Sequence, residues 1–202
     1  MSRPMAKPDA LVLDYDEAAY QRMNAAMEHA AQIVITHEHA DHMGGIVAHP
    51  HLAQILSKVK LTAEQFAGAG HVASSVAMPA DASRGYQPLS YDGMTAIAPG
   101  VVLIKAPGHT PGSQMVYVQR DDGRELLFLG DVSWRMRNIE EVRERPLLMT
   151  LIIGEDRQAV LGQFQALHAL RESEPKLALV PGHEGAVIKA LEAAGLLQAG
   201  FH

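Results

Sequence analysis

One six-residue run constrains this chain more than any other feature. It is His37-Glu38-His39-Ala40-Asp41-His42, set within Thr36-His37-Glu38-His39-Ala40-Asp41-His42-Met43-Gly44-Gly45. The His37, His39 and His42 imidazoles and the Asp41 carboxylate, brought so close, repel one another or go unsatisfied unless a cation takes them. Nitrogen and oxygen donors are the ligands that zinc and similar borderline metals accept. The run follows an apolar stretch, Gln32-Ile33-Val34-Ile35, which reads as a buried strand. If the chain stays extended through His37 and His39, alternation puts both rings on one side, where a single metal takes both. Asp41 and His42 then point towards a second position. Gly44-Gly45 reads as a sharp bend before the next element.

Composition limits the remaining options. A chain of 202 residues is expected to form one domain, residues 1–202, with enough length to bury a core. Apolar residues make up 48% and charged residues 20%, the balance of an ordinary globular protein. No cysteine is present, which removes disulfides, thiolate ligands and a cysteine nucleophile. A net charge of -6 without a basic block argues against a nucleic-acid partner. No apolar run reaches the length of about 18 residues that spans a bilayer, and the N-terminal stretch lacks the apolar core of a secretory signal. The expectation is a cytoplasmic protein with a small-molecule substrate and no membrane partner.

Strands and helices alternate along the chain. Leu11 to Asp14 reads as a strand, and Asp16 as the cap of a helix through Tyr20, Met23 and Met27. Ile46 to Leu56 reads as helical with a break at Pro50. Lys58 to Leu61 reads as a strand before a helix capped by Thr62, with Gln65 at its third position. Residues 68–93, rich in small and polar side chains, read as a long connection. Three strands follow at Val101 to Lys105, Gln114 to Gln119 and Glu125 to Leu129, the last two joined by Asp121-Asp122-Gly123. A helix from Asp156 to Glu172, a strand from Lys176 to Val180 and a helix from Glu184 to Leu197 complete an α/β pattern.

Three of the later strands end at a metal-competent residue. They run into Pro107-Gly108-His109, Gly130-Asp131 and Pro181-Gly182-His183. Each turn alone is a common one; together with the first motif they form a pattern. That pattern, His-x-His-x-Asp-His followed by a His, an Asp and a His at strand ends, resembles the metallo-β-lactamase-fold hydrolases. The resemblance covers residue 32 to about residue 190. It implies an αββα sandwich and two divalent metal ions, with zinc the first choice and iron or manganese equally suited to the ligands. His37, His39 and His109 would hold one ion and Asp41, His42 and His183 the other. Asp131 would bridge them, and Asp41 and Asp131 would be the catalytic carboxylates. Two metals about 3.5 Å apart share a water and present it as hydroxide. The implied activity is hydrolysis of a small ester, lactone or thioester.

Within the family, Asp131 steers the reading away from the zinc β-lactamases, and His39 steers it away from the flavodiiron proteins. Gly130-Asp131-Val132-Ser133-Trp134 is similar to the lactonase-like branch, alongside the glyoxalase II-like one. In lactonases a tyrosine three residues after the aspartate assists the substrate carbonyl. Here Trp134 stands in that place, either as a substrate-facing wall or as a core aromatic. Thr36, Thr110 and Ser113 are candidates for orienting the ligands. Only 36 residues precede His37, so the first sheet is expected to be short of strands, with its edge protected by a second copy of the chain. The alternatives are a metal-stabilised binding or regulatory module and an iron-dependent oxidoreductase resembling the persulfide dioxygenases. His29, His49, His51, His71, His168 and His202 are read as outside the site.

Overall fold

The computed structural model describes residues 16–68, 78–80 and 84–200. The expected strand at Leu11 to Asp14, and His71 and His202, lie outside them. The chain divides into two compact units, Met1–Ser90 with Ala199–His202, and Tyr91–Gln198.

In the first unit, α1 (Glu17–His29) starts where Asp16 Oδ1 accepts the Ala19 N–H at 2.9 Å. This is the N-cap the sequence indicated, and it satisfies a backbone donor that the helix leaves open. Strand β1 (Ile33–Val34) pairs in parallel with β2 (Val59–Lys60), making a two-stranded sheet among the described residues. Between them run α2 (Ala40–Val47), α3 (Leu52–Ile55) and a 3₁₀ turn over Leu56–Lys58. Helix α4 (Ala63–Ala67) opens with a full capping box, in which Thr62 and Gln65 each bond the other's backbone N–H. Met43, Ile46, Ile55, Val59 and Leu61 form the core. Tyr86 ties both ends of β2 through its hydroxyl, which accepts from Leu61 N at 2.8 Å and donates to Val59 O at 2.9 Å.

Gly44-Gly45 is no bend, because both glycines lie inside α2, which begins at Ala40 within the histidine motif. A Cβ placed on Gly45 would sit 3.2 Å from Met23 Cε. The small residue serves the close approach of α1 to α2 rather than a turn.

The second unit is built on a five-stranded sheet in the order β3-β4-β5-β6-β7. Strands β3 (Met94–Ala98), β4 (Val101–Lys105), β5 (Gln114–Gln119) and β6 (Glu125–Gly130) run antiparallel in sequence, and β7 (Ala178–Pro181) joins β6 in parallel. A parallel neighbour requires a crossover, and α5 (Met136–Glu140), α6 (Leu147–Ile153) and α7 (Arg157–Ser173) supply it. Helix α7 turns Val160, Phe164 and Leu167 onto Leu127 and Leu129 of β6 and Leu179 of β7. Those helix positions are spaced as one helical face, which is why they read as core from sequence. Helix α8 (Gly185–Ala193) closes the order. Strand β3 and helices α5 and α6 were not anticipated. Five residues of α6, Leu147, Leu148, Met149, Leu151 and Ile152, are exposed, so its apolar positions mark no buried stripe.

Candidate metal centre

In the first unit the ligand candidates leave the end of β1. His37, Glu38 and His39 are buried, Asp41 is exposed and His42 lies between these extremes. His37 Nε2 and His39 Nδ1 are 3.0 Å apart, so the two rings do converge as extended alternation predicts. The chain then turns into α2, whose first turn carries Asp41 and His42, with His42 Nε2 3.5 Å from Asp41 Oδ2. The His37 and His42 ring centroids are 4.0 Å apart. Thr36 Oγ1 stands 3.1 Å from His37 Nδ1 and 3.4 Å from His42 Nδ1. One hydroxyl thus lies against the Nδ1 atoms of two rings.

In the second unit the candidates come from three separate strand ends. Asp131, just past β6, is buried, and its carboxylate receives two imidazoles. His109 Nε2 lies 3.5 Å from Asp131 Oδ2, and His183 Nε2 lies 3.1 Å from each carboxylate oxygen. Backbone bonds hold these turns together, Gly182 N to Ser133 O at 3.0 Å and His183 N to Trp134 O at 3.2 Å. A Cβ on Gly182 would fall 2.5 Å from Asp131 Oδ1 and 2.7 Å from Gly130 O, so glycine is required there. Thr110 and Ser113 bond each other, Oγ1 to Oγ at 2.9 Å, and thereby fix the turn after His109.

Trp134 sits beside Asp131. Its indole is half-buried, and its N–H donates to Asp131 Oδ2 at 2.8 Å. Two residues that the sequence did not single out complete the surroundings. Glu155 Oε1 is 2.6 Å from His109 Nδ1 and accepts a bond of 2.6 Å from Arg145 Nη1. Arg145 also donates to the carbonyls of Asp131 and Val132 and lies over the Trp134 ring, 4.5 Å from its centroid. Burial pushes the Arg145 guanidinium below its ordinary pKa, with the charges of Glu155 and then Asp131 opposing the shift. Nothing in the sequence around either residue signals this, since an Arg or Glu in an irregular stretch is solvated in the ordinary case.

The donor chemistry of both sets fits a divalent metal. Tetrahedral bonds to zinc from nitrogen or oxygen place neighbouring donors about 3.3 Å apart. The separations within the two sets, 3.0, 3.5 and 3.1 Å, fall around that value. Among the other described histidines, His29 Nδ1 lies 2.7 Å from Ala25 O, His49 Nε2 lies 3.2 Å from Asn24 O, His51 pairs with Glu28, and His168 Nδ1 lies 3.1 Å from Ile139 O.

Residues 31–183 match the metallo-beta-lactamase superfamily, so the chain belongs to that superfamily. Its mixed α/β elements agree with solved structures of the same fold. A quorum-quenching N-acyl homoserine lactone hydrolase is 21% identical with a TM-score of 0.61, over 85% of this chain and 64% of that one. Another N-acyl homoserine lactone hydrolase, solved with N-hexanoyl-L-homoserine at its catalytic metal centre, is 20% identical with a TM-score of 0.59, over 81% and 60%. A probable metal-dependent hydrolase from Staphylococcus aureus is 11% identical with a TM-score of 0.58, over 84% and 61%. The chain therefore spans less than two thirds of the length of these proteins. No curated protein sequence matches it. Among the described residues, no helix is long and apolar enough to cross a membrane.

Proposed function

We propose that the chain is a dinuclear metal hydrolase acting on a small ester, lactone or thioester. In this reading the two ligand sets serve one domain. His37, His39 and His109 hold one divalent ion, Asp41, His42 and His183 hold the other, and Asp131 is shared. The observation that carries it is the buried Asp131 carboxylate, with the Nε2 atoms of two histidines from distant strands at 3.5 and 3.1 Å. A carboxylate in that position serves two cations better than one. Membership of the superfamily and the superfamily's coverage of both ligand sets support the same reading.

When bound, a pair of divalent ions activates water near neutral pH and polarises the scissile carbonyl. The protein's own part is to aim the donors. His37 offers Nε2 while its Nδ1 faces Thr36, and His109 offers Nε2 while its Nδ1 faces Glu155. The Glu155 carboxylate, an acceptor, keeps the His109 proton on Nδ1 and turns the Nε2 lone pair forward, while the Thr36 hydroxyl engages Nδ1 of His37 from behind. Trp134 commits its N–H to Asp131, so the polarising role of the lactonase tyrosine is not available from it. What the indole offers a substrate is its ring.

The test is zinc reconstitution followed by metal analysis and turnover on ester, lactone and thioester panels. Two equivalents with hydrolysis are expected. Well under two equivalents, or silence across all three panels, sinks the reading. Asp131→Asn separates it from a metal-stabilised binding module, because an enzyme loses turnover where a purely structural site loses thermal stability. A single iron in the purified protein would favour oxidative chemistry instead.

A further inference from the structure

Arg145 and Glu155 are charges kept out of water, with side chains 2% and 1% exposed. Ion pairs buried this deeply seldom add net stability, since removing both charges from water costs about as much as their attraction returns. Their place in the structure points to another use. Each contacts a candidate ligand of the second unit, and together with Trp134 they close a circuit around that half-site.

The circuit can be followed bond by bond. Glu155 Oε1 meets His109 Nδ1 at 2.6 Å, which places a proton on Nδ1 and directs the Nε2 lone pair towards Asp131. The same oxygen accepts from Arg145 Nη1 at 2.6 Å, so the carboxylate is held from behind. Arg145 Nη2 donates to the Asp131 and Val132 carbonyls, which fixes the backbone that carries the bridging carboxylate. The guanidinium face rests on the Trp134 ring. Trp134 Nε1 then bonds Asp131 Oδ2 at 2.8 Å, and that oxygen is 3.5 Å from His109 Nε2. Arg145 uses a planar fork, a carbonyl pair and a ring face at once, a combination that lysine does not supply.

We propose that Glu155 and Arg145 are a positioning pair that sets His109 Nε2 and the Asp131 carboxylate for a divalent cation, with Trp134 as the strut between them. The proposal rests on the dinuclear reading and concerns chiefly how tightly the ion served by His109 is held. Neither residue touches substrate. Both act through a ligand, and residues in that position change metal affinity by about 10–100-fold when lost.

The experiment is a zinc titration of the whole chain against a chromophoric chelator, paired with the absorption spectrum of the cobalt(II)-loaded protein. Glu155→Gln alone leaves the Arg145 charge buried without its partner and costs folding. The informative variant is therefore Glu155→Gln with Arg145→Met, which removes both charges and keeps the volume. Its expected behaviour is a wild-type circular dichroism spectrum, a loss of about 10–100-fold in affinity at the site that His109 serves, a smaller loss at the other through the shared Asp131, and an altered cobalt spectrum. Glu155→Asp should fall between the double variant and wild type. Trp134→Phe keeps both charges and an aromatic ring under Arg145 while removing the N–H to Asp131, and it should weaken metal binding to a smaller degree than the double variant. A double variant that binds both ions as wild type does overturns the proposal, as does an equal loss at both sites, which would report general loosening. Wild-type protein that binds no zinc overturns it together with the dinuclear reading.

Discussion

The ligand candidates of the first unit and those of the second are held by different means. His37 to His42 are neighbours in sequence, so strand alternation and one turn of α2 bring them together, and a two-stranded sheet with one hydroxyl, Thr36, is scaffold enough. His109, Asp131 and His183 are far apart in sequence, with the last two separated by 52 positions. Their meeting depends on a five-stranded sheet, on the crossover through α7 and on a buried charge pair behind His109. A local motif carries its geometry in its spacing. A dispersed one has to import geometry from the fold, at the cost of burying charges that would otherwise be solvated.

Asp131→Asn should break the contrast most severely. It is expected to cut turnover by more than about 100-fold, beyond the range typical of residues that only orient a ligand. The same change at exposed Asp41 should cost less; equal losses in kcat would show that the two sets are not unequal partners. Next in size come the cores. Phe164→Ala should cost about 3–5 kcal/mol and Met43→Ala about 2–5 kcal/mol, read from urea unfolding. Hydrogen exchange should rise first in β6 and α7 for the former, and in β1 and α2 for the latter. A rise spread evenly over both units would contradict the separate cores.

A pair of glycines sharpens the comparison further. Gly182→Ala drives a Cβ into backbone at Gly130 and into Asp131, and should cost about 1–3 kcal/mol along with metal affinity. Gly45→Ala meets only the flexible end of Met23, and the gain of about 1 kcal/mol in helix propensity offsets that crowding. Its melting temperature should stay close to wild type, and a large drop would mean that α1 cannot yield. The smallest effect is electrostatic. The hydrogen bond to His51 holds the Glu28 carboxyl below its ordinary value of 4.5, with the charges of His51, His49 and His29 adding to the shift. Its contribution to stability is therefore present above that ordinary value and fades as pH falls through the lowered one. Glu28→Gln should flatten the acid limb of stability against pH slightly. An unchanged limb would remove the pair from the account.

What sequence conveyed follows the same division. Asp16, the Thr62 and Gln65 box, strands β4 to β6 and the apolar face of α7 are local patterns, and each appears where its pattern puts it. Strand β3 was not visible because its five residues include two alanines and an exposed methionine, with no buried stripe to betray a strand. The Gly44-Gly45 pair misled because conformational freedom is a local signal, whereas the approach of Met23 is decided by packing across the chain. Arg145 and Glu155 were invisible for a related reason: a charge acquires its meaning only once the fold has removed the water around it. In the candidate site, then, the six-residue motif could be read directly, while the buttress behind His109 could not.

Trp134 is the chain's only tryptophan, and its N–H ends on the carboxylate proposed to bridge two cations. The molecule therefore carries an intrinsic optical reporter at the place of greatest interest. A cation arriving on Asp131 draws electron density from the very oxygen that the indole bonds, so ultraviolet emission should shift in colour or intensity as the site fills. Occupancy would then be read from unlabelled protein, and emission that ignores added zinc would place the ion away from Asp131.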